Sequence, residues 1–135
     1  MSTAKQATQV AAKDYQAERR IEDALCARLQ ARGVKFYRQM PISLMRVDVV
    51  TAGEIYEVKK DFSIEHCVKA LGQLLFYSQQ LPSRQMVMVA GGYCPPAFKQ
   101  VLRANGIKVK SLNLGGDVEP VEQDGEDAMF PRNGG

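Results

Sequence analysis

Asp48, Glu57 and Lys59 are the residues whose types and spacing could do chemistry. They lie in Arg46-Val47-Asp48-Val49-Val50-Thr51-Ala52-Gly53-Glu54-Ile55-Tyr56-Glu57-Val58-Lys59-Lys60. That stretch reads as two strands rich in Val, Ile and Tyr around a small turn at Ala52-Gly53. With those two residues as the loop, Thr51 falls opposite Glu54, Asp48 opposite Glu57 and Arg46 opposite Lys59. Side chains on a strand alternate, so Glu57 and Lys59 share a face, the pairing adds Asp48 to it, and Lys60 points the other way. Two carboxylates facing each other across a strand pair repel. A cation therefore belongs between them, either Lys59 or a hard divalent ion such as Mg2+, which takes one or two carboxylates and leaves its other positions to water and phosphate. A water activated by such an ion, beside an ammonium group, is suited to hydrolysing a phosphodiester.

The rest of the chain must position these groups. Its 135 residues suit one domain with a proper core, and 45% hydrophobic and 24% charged residues are ordinary for a globular protein. There is no apolar run of about 18 residues to span a membrane, and the N-terminus lacks the apolar segment of a secretory signal. Cys26, Cys67 and Cys94 are scattered without a CxxC pair, which argues against a disulfide framework or a zinc site and fits a reducing cytoplasm. The net charge of +3 is unevenly spread: six of the 15 acids but only one of the 18 bases lie from Gly115 onward, leaving −5 on the tail and +8 on the rest. A basic domain points, without specificity, to a polyanion such as nucleic acid.

In order, residues 1–13 lack apolar periodicity and read as a flexible arm or a loose first turn of helix. A helix is expected from about Asp14 to Arg32, with Ile21, Leu25 and Leu29 as its core stripe and Gly33 at its C-cap. Glu22 borders that stripe, either as an exposed edge residue or as part of a site. Strands are expected at Val34 to Arg38, Met45 to Thr51 and Glu54 to Lys60. Ser63 can cap a helix running to about Gln80, closed by Pro82. Its apolar stripe is Ile64, Cys67, Val68, Leu71, Leu74 and Leu75, flanked by a polar row of His66, Lys69, Gln73 and Tyr77. Gln85 to Ala90 is a strand buried on both faces, Pro95-Pro96 opens a helix to about Ala104, and Ile107 to Leu112 is a last strand. From 115 to 135 the acidic, Gly-rich tail is expected to be disordered. The fold class is α/β, a mixed central sheet flanked by helices.

The order of elements, with Asp48, then Glu57-Val58-Lys59, resembles the PD-(D/E)xK nuclease superfamily. Its restriction-endonuclease-like fold has an αβββαβ core, here with an extra αβ unit over residues 14–114. Glu22, Leu25, Leu29 and Gly33 are similar to the E-x2-L-x3-L-x3-G helix of archaeal Holliday-junction resolvases; Glu18 fits that spacing less well. Gln73-Leu74-Leu75-Phe76-Tyr77 resembles the Q-x3-Y motif of RecB-like members. Val47 stands where the nominal Pro would be, and the cysteine cluster of the iron–sulfur members is missing.

The resemblance implies a metal-dependent DNA endonuclease of DNA processing, repair, recombination or mobile elements, with Mg2+ or Mn2+ and no organic cofactor. Asp48 and Glu57 would hold the ion with Glu22 as an outer or additional ligand, Lys59 would orient the attacking water and stabilise the transition state, and Gln73 would hydrogen-bond near the nucleophile or the backbone. Arg38, Arg46, Lys60, Lys69 and Tyr77 are candidate nucleic-acid contacts, each with a plainer role as a solvated charge or, for Tyr77, a core aromatic. His66 is expected at the surface. A double-strand cut would require a second copy, most simply a two-fold homodimer. The alternatives are a catalytically idle nucleic-acid-binding or assembly subunit that keeps the fold, and a small basic RNA-binding protein, which would leave the two acids and Lys59 unexplained.

Overall fold

The computed structural model describes residues 3–113, with side chains from residue 12. The expected tail therefore lies outside the described residues. The elements are α1 (Thr3–Ala31), β1 (Phe36–Ile42), β2 (Met45–Thr51), β3 (Glu54–Lys59), α2 (Ile64–Gln80), β4 (Gln85–Ala90), α3 (Pro96–Ala104) and β5 (Ile107–Ser111). They form an α/β domain around one five-stranded sheet in the order β1-β2-β3-β4-β5. The first three strands are an antiparallel meander, while β4 and β5 join parallel to β3. The parallel joins need crossovers, which α2 and α3 supply.

Each sheet face buries its own cluster. On one side, Ile21, Leu25, Cys26 and Leu29 of α1 pack on Val49, Tyr56, Val58, Val87 and Val89. On the other, Cys67, Ala70, Leu74 and Tyr77 of α2 and Leu102 of α3 pack on Val47, Val50, Ile55, Met88, Ile107 and Val109. The end of α1 is set by Gly33, whose φ of +73 lets Val34 N–H reach back to the Leu29 carbonyl at 2.9 Å. Ser63 caps α2, its hydroxyl accepting from His66 N–H.

Three expectations shift. The first helix starts at Thr3, not near Asp14, because the Ala-, Gln- and Lys-containing stretch before it has good helix propensity without an amphipathic pattern. The first strand runs from Phe36 through Pro41 to Ile42, tolerable because β1 is an edge strand and has no partner on its outer side. On α2 the buried stripe is Cys67, Ala70, Leu74 and Tyr77, leaving Ile64, Val68, Leu75 and Phe76 exposed. The helix is thus turned toward what had been its polar row, because Tyr77 is the larger apolar surface and its hydroxyl finds a backbone acceptor.

Candidate active site

The hairpin turn works as expected. Thr51 Oγ1 accepts from the N–H groups of Gly53 and Glu54, at 3.2 and 2.9 Å, and donates to Glu54 Oε1 at 2.6 Å. Beyond it β2 and β3 pair as Val50↔Ile55 and Val49↔Tyr56, the register that sets Asp48 against Glu57. There the backbone ladder stops. Asp48 Oδ2 instead accepts the N–H of Val58 at 2.8 Å, a carboxylate substituting for a strand carbonyl. The strand also twists at this point: Val47 lies in the cluster on the α2 side and Val49 in the cluster on the α1 side, so alternation is broken at Asp48. β3 keeps its parallel pairing to β4 throughout, Glu57 beside Met88 and Lys59 beside Ala90. The gap therefore opens between β2 and a β3 that is held from behind.

Glu57 and Lys59 are 4% and 8% exposed, and Lys59 Nζ lies 3.3 Å from Glu57 Oε2. Glu57 Oε1 is buried with no hydrogen-bond partner. Burial first, and the negative Asp48 second, push the Glu57 carboxyl well above its usual range, against the pull of Lys59. An orphaned carboxylate oxygen beside a second carboxylate is a donor set suited to a hard divalent ion. Asp48 and Glu57 are the residues that would hold it. Among the described residues no group of three or more His, Cys, Asp or Glu converges on one ion position, so substrate oxygen and water would have to complete the shell.

Glu22, 6% exposed on α1, is engaged by its neighbours. Its Oε2 accepts from Arg38 Nε at 2.8 Å and its Oε1 from Gln39 Nε2 at 3.0 Å. Burial still raises its carboxyl above the ordinary range, Arg38 pulling the other way and Asp48 adding to the rise. Arg38, expected at phosphate, also binds Asp23 at 2.6 Å and is committed to holding α1 on β1. Tyr77, another expected nucleic-acid contact, is 1% exposed and donates to the Arg46 carbonyl at 2.9 Å, so it is a prop in the core under β2. Lys60 pairs with Asp14 at 2.8 Å. Lys69 is exposed on α2. Gln73 is half-buried on α2, its Oε1 enclosed without a partner. His66 Nδ1 sits 2.6 Å from Asp61 Oδ1.

A cavity of about 510 Å3 reaches Asp48 from the α1 side, lined among others by Glu18, Glu22, Gln39 and Arg46; neither Glu57 nor Lys59 lines it. Two of these the sequence reading missed or set aside. Glu18 is half-buried and raised above its usual range by burial, with Lys59 opposing and Asp48 reinforcing the rise. It lies one helical turn before Glu22, and that spacing alone could have kept it as a candidate. Gln39 adopts φ +52, a left-handed conformation that costs a residue with a Cβ about 1–2 kcal/mol. Nothing in the sequence around it marks such a backbone. The cysteines are free, and burial raises the Cys26 and Cys67 thiols to about 11. Among the described residues no helix is long and apolar enough to cross a membrane. Comparison with protein-family models, curated proteins and solved structures finds nothing that matches the chain.

Proposed function

We propose that this protein is a metal-dependent nuclease of the PD-(D/E)xK type, with a restriction-endonuclease-like fold, that hydrolyses phosphodiester bonds in DNA. The observation that carries the reading is the opened ladder: β2 releases β3 where Asp48 meets Glu57, and Glu57 Oε1 is buried without a partner while its Oε2 lies 3.3 Å from Lys59 Nζ. A structure built only for stability would close that gap or give the buried oxygen a donor. The helix–meander–helix–strand order and the parallel join of β4 to β3 support the fold assignment.

Within this reading Asp48 and Glu57 would hold the ion, which would supply Lewis-acid activation of water and charge neutralisation at the scissile phosphate. Asp48 is fixed for that task by Val58 N–H. Lys59, buried and next to Glu57, offers its ammonium to the charge that develops on the phosphoryl oxygens, where a low dielectric makes the interaction strong. Arg46, exposed at the cavity rim, is the best placed of the candidate phosphate contacts.

One observation favours the idle-subunit reading: Arg38 Nε lies 2.8 Å from Glu22 and Lys59 Nζ 3.3 Å from Glu57, so each acid has a basic partner within the fold. One experiment separates the two. Purified protein is incubated with supercoiled circles, linear duplex, single strands and branched junctions in Mg2+, Mn2+ or EDTA, beside Asp48→Ala and Lys59→Ala. Metal-dependent cleavage that both substitutions abolish is the expected result. Tight DNA binding without cleavage of any substrate gives the idle subunit.

A further inference from the structure

Gln39 and Asp48 are the opposed residues missing from the β1/β2 ladder, which pairs Arg38 with Val49 and Met40 with Val47 on either side of them. At this gap the Gln39 backbone turns into the left-handed region, at φ +52. Its side-chain amide thereby reaches two carboxylates from different elements: Nε2 donates to Glu22 Oε1 at 3.0 Å and to Asp48 Oδ1 at 3.2 Å. The nitrogen assignment follows from the chemistry, because the amide nitrogen is the side chain's donor and carboxylate oxygens are acceptors.

The four oxygens of Glu22 and Asp48 are thus all in use. Two of them are held by groups that cannot leave without disturbing the fold, the Arg38 guanidinium on Glu22 Oε2 and the Val58 backbone on Asp48 Oδ2. The other two are held by one uncharged, exposed side chain. An NH2 group shared between two carboxylates stands where a cation would be favoured more strongly, since between the two facing oxygens it offers only a partial charge. The strained backbone is what brings it there.

We propose that Gln39 is a detachable stand-in for the cation: its amide holds Glu22 and Asp48 together in the metal-free protein, and it yields its place when a divalent ion binds. The proposal rests on the metal-dependent reading of the site. It makes Gln39 a positioning residue that sets metal affinity by competing with the ion for Asp48.

The test is Mn2+ binding to the full chain, by titration calorimetry and by the loss of the free-ion paramagnetic resonance signal, with no nucleic acid present. Gln39→Ala removes the amide and keeps the backbone constraint; Gln39→Gly removes both. Each should bind Mn2+ roughly tenfold or more tightly than the parent, reflecting the loss of competing hydrogen bonds to charged groups. Gln39→Ala should also unfold at lower temperature in EDTA, Gln39→Gly should lose less because it relieves the positive φ, and both should show a larger rise in Tm than the parent on adding Mn2+. Gln39→Lys, which fixes an ammonium between the acids, should abolish binding while unfolding cooperatively. Unchanged or weaker Mn2+ affinity in both Gln39→Ala and Gln39→Gly, with parent binding that Asp48→Ala eliminates, overturns the role of Gln39 alone. A parent protein that binds no Mn2+, or binds it equally well after Asp48→Ala, overturns the metal reading and this proposal with it.

Discussion

Replacing Glu57 with Gln keeps the shape of the side chain and removes its capacity to ionise. In the metal-free protein burial, and then the negative Asp48, hold the Glu57 carboxyl well above its usual range. The folded state therefore keeps a proton on this group over a pH interval in which the unfolded chain, with an ordinary Glu pKa of about 4.3, has already released it. Stability falls with rising pH wherever the native state binds more protons, by up to about 1.4 kcal/mol per pH unit for one group. The contribution is complete below about pH 4.3 and is lost as pH rises through the folded pKa. Glu57→Gln has no such loss. Urea unfolding in EDTA, measured at half-unit steps from pH 4.5 to 8.5, should show the variant gaining on the parent by up to that slope. The two curves should run parallel once the parent carboxyl has ionised. Titrations common to both proteins, those of Glu18 and Glu22 included, largely cancel in the difference. Addition of Mn2+ at pH 8 should restore the parent and leave the variant unmoved. A stability difference that stays flat from pH 5 to 8 would refute the reasoning, because it would mean that Glu57 ionises as freely in the folded protein as in the unfolded chain.

Asp48→Ala should destabilise the metal-free protein by about 1–3 kcal/mol, since it orphans the Val58 N–H; Asp48→Asn keeps an acceptor and should recover most of that in urea melts while both variants lose cleavage. Tyr77→Phe should cost about 1 kcal/mol, through the lost bond to the Arg46 carbonyl, and leave the salt dependence of DNA binding as it was. Arg46→Ala should flatten the slope of log affinity against log salt by about 1, whereas Arg38→Ala should leave that slope in place and lower stability instead; equal slopes in all three proteins would remove Arg46 from the phosphate contacts. Leu29→Ala, on the buried face of α1 and 1% exposed, should cost about 3–4 kcal/mol and broaden no transition, a control for the size of a pure core loss.

What the sequence made legible were the features whose causes are local. Ser63 and Pro82 bracket α2, Pro95-Pro96 opens α3, and Thr51 with Gly53 fixes the hairpin, so these bounds and the register of β2 on β3 follow from residues a few positions apart. The opposition of Asp48 and Glu57 is a consequence of that register. Long-range packing determined the rest. The rotation of α2 toward Tyr77 depends on the Arg46 carbonyl in a distant strand, and a helical wheel of α2 alone cannot include it. The engagement of Glu22 depends on an edge strand that brings Arg38 and Gln39 under α1. The break in alternation between Val47 and Val49 has no signature in a run of β-branched residues around an acid, because Val suits either face of a buried strand.

The Val58 N–H held by Asp48 also bears on the entropy of whatever occupies the site. A carboxylate on a free strand end would lose rotamer freedom each time it engaged an ion or a substrate, and that loss would weaken every binding event. Here the loss occurs once, as β2 and β3 come together, because the same contact that ends the ladder also freezes the Asp48 side chain. The hairpin thus moves an ordering cost from the binding equilibrium into the folding equilibrium, and a visitor to the site meets an acid already at rest.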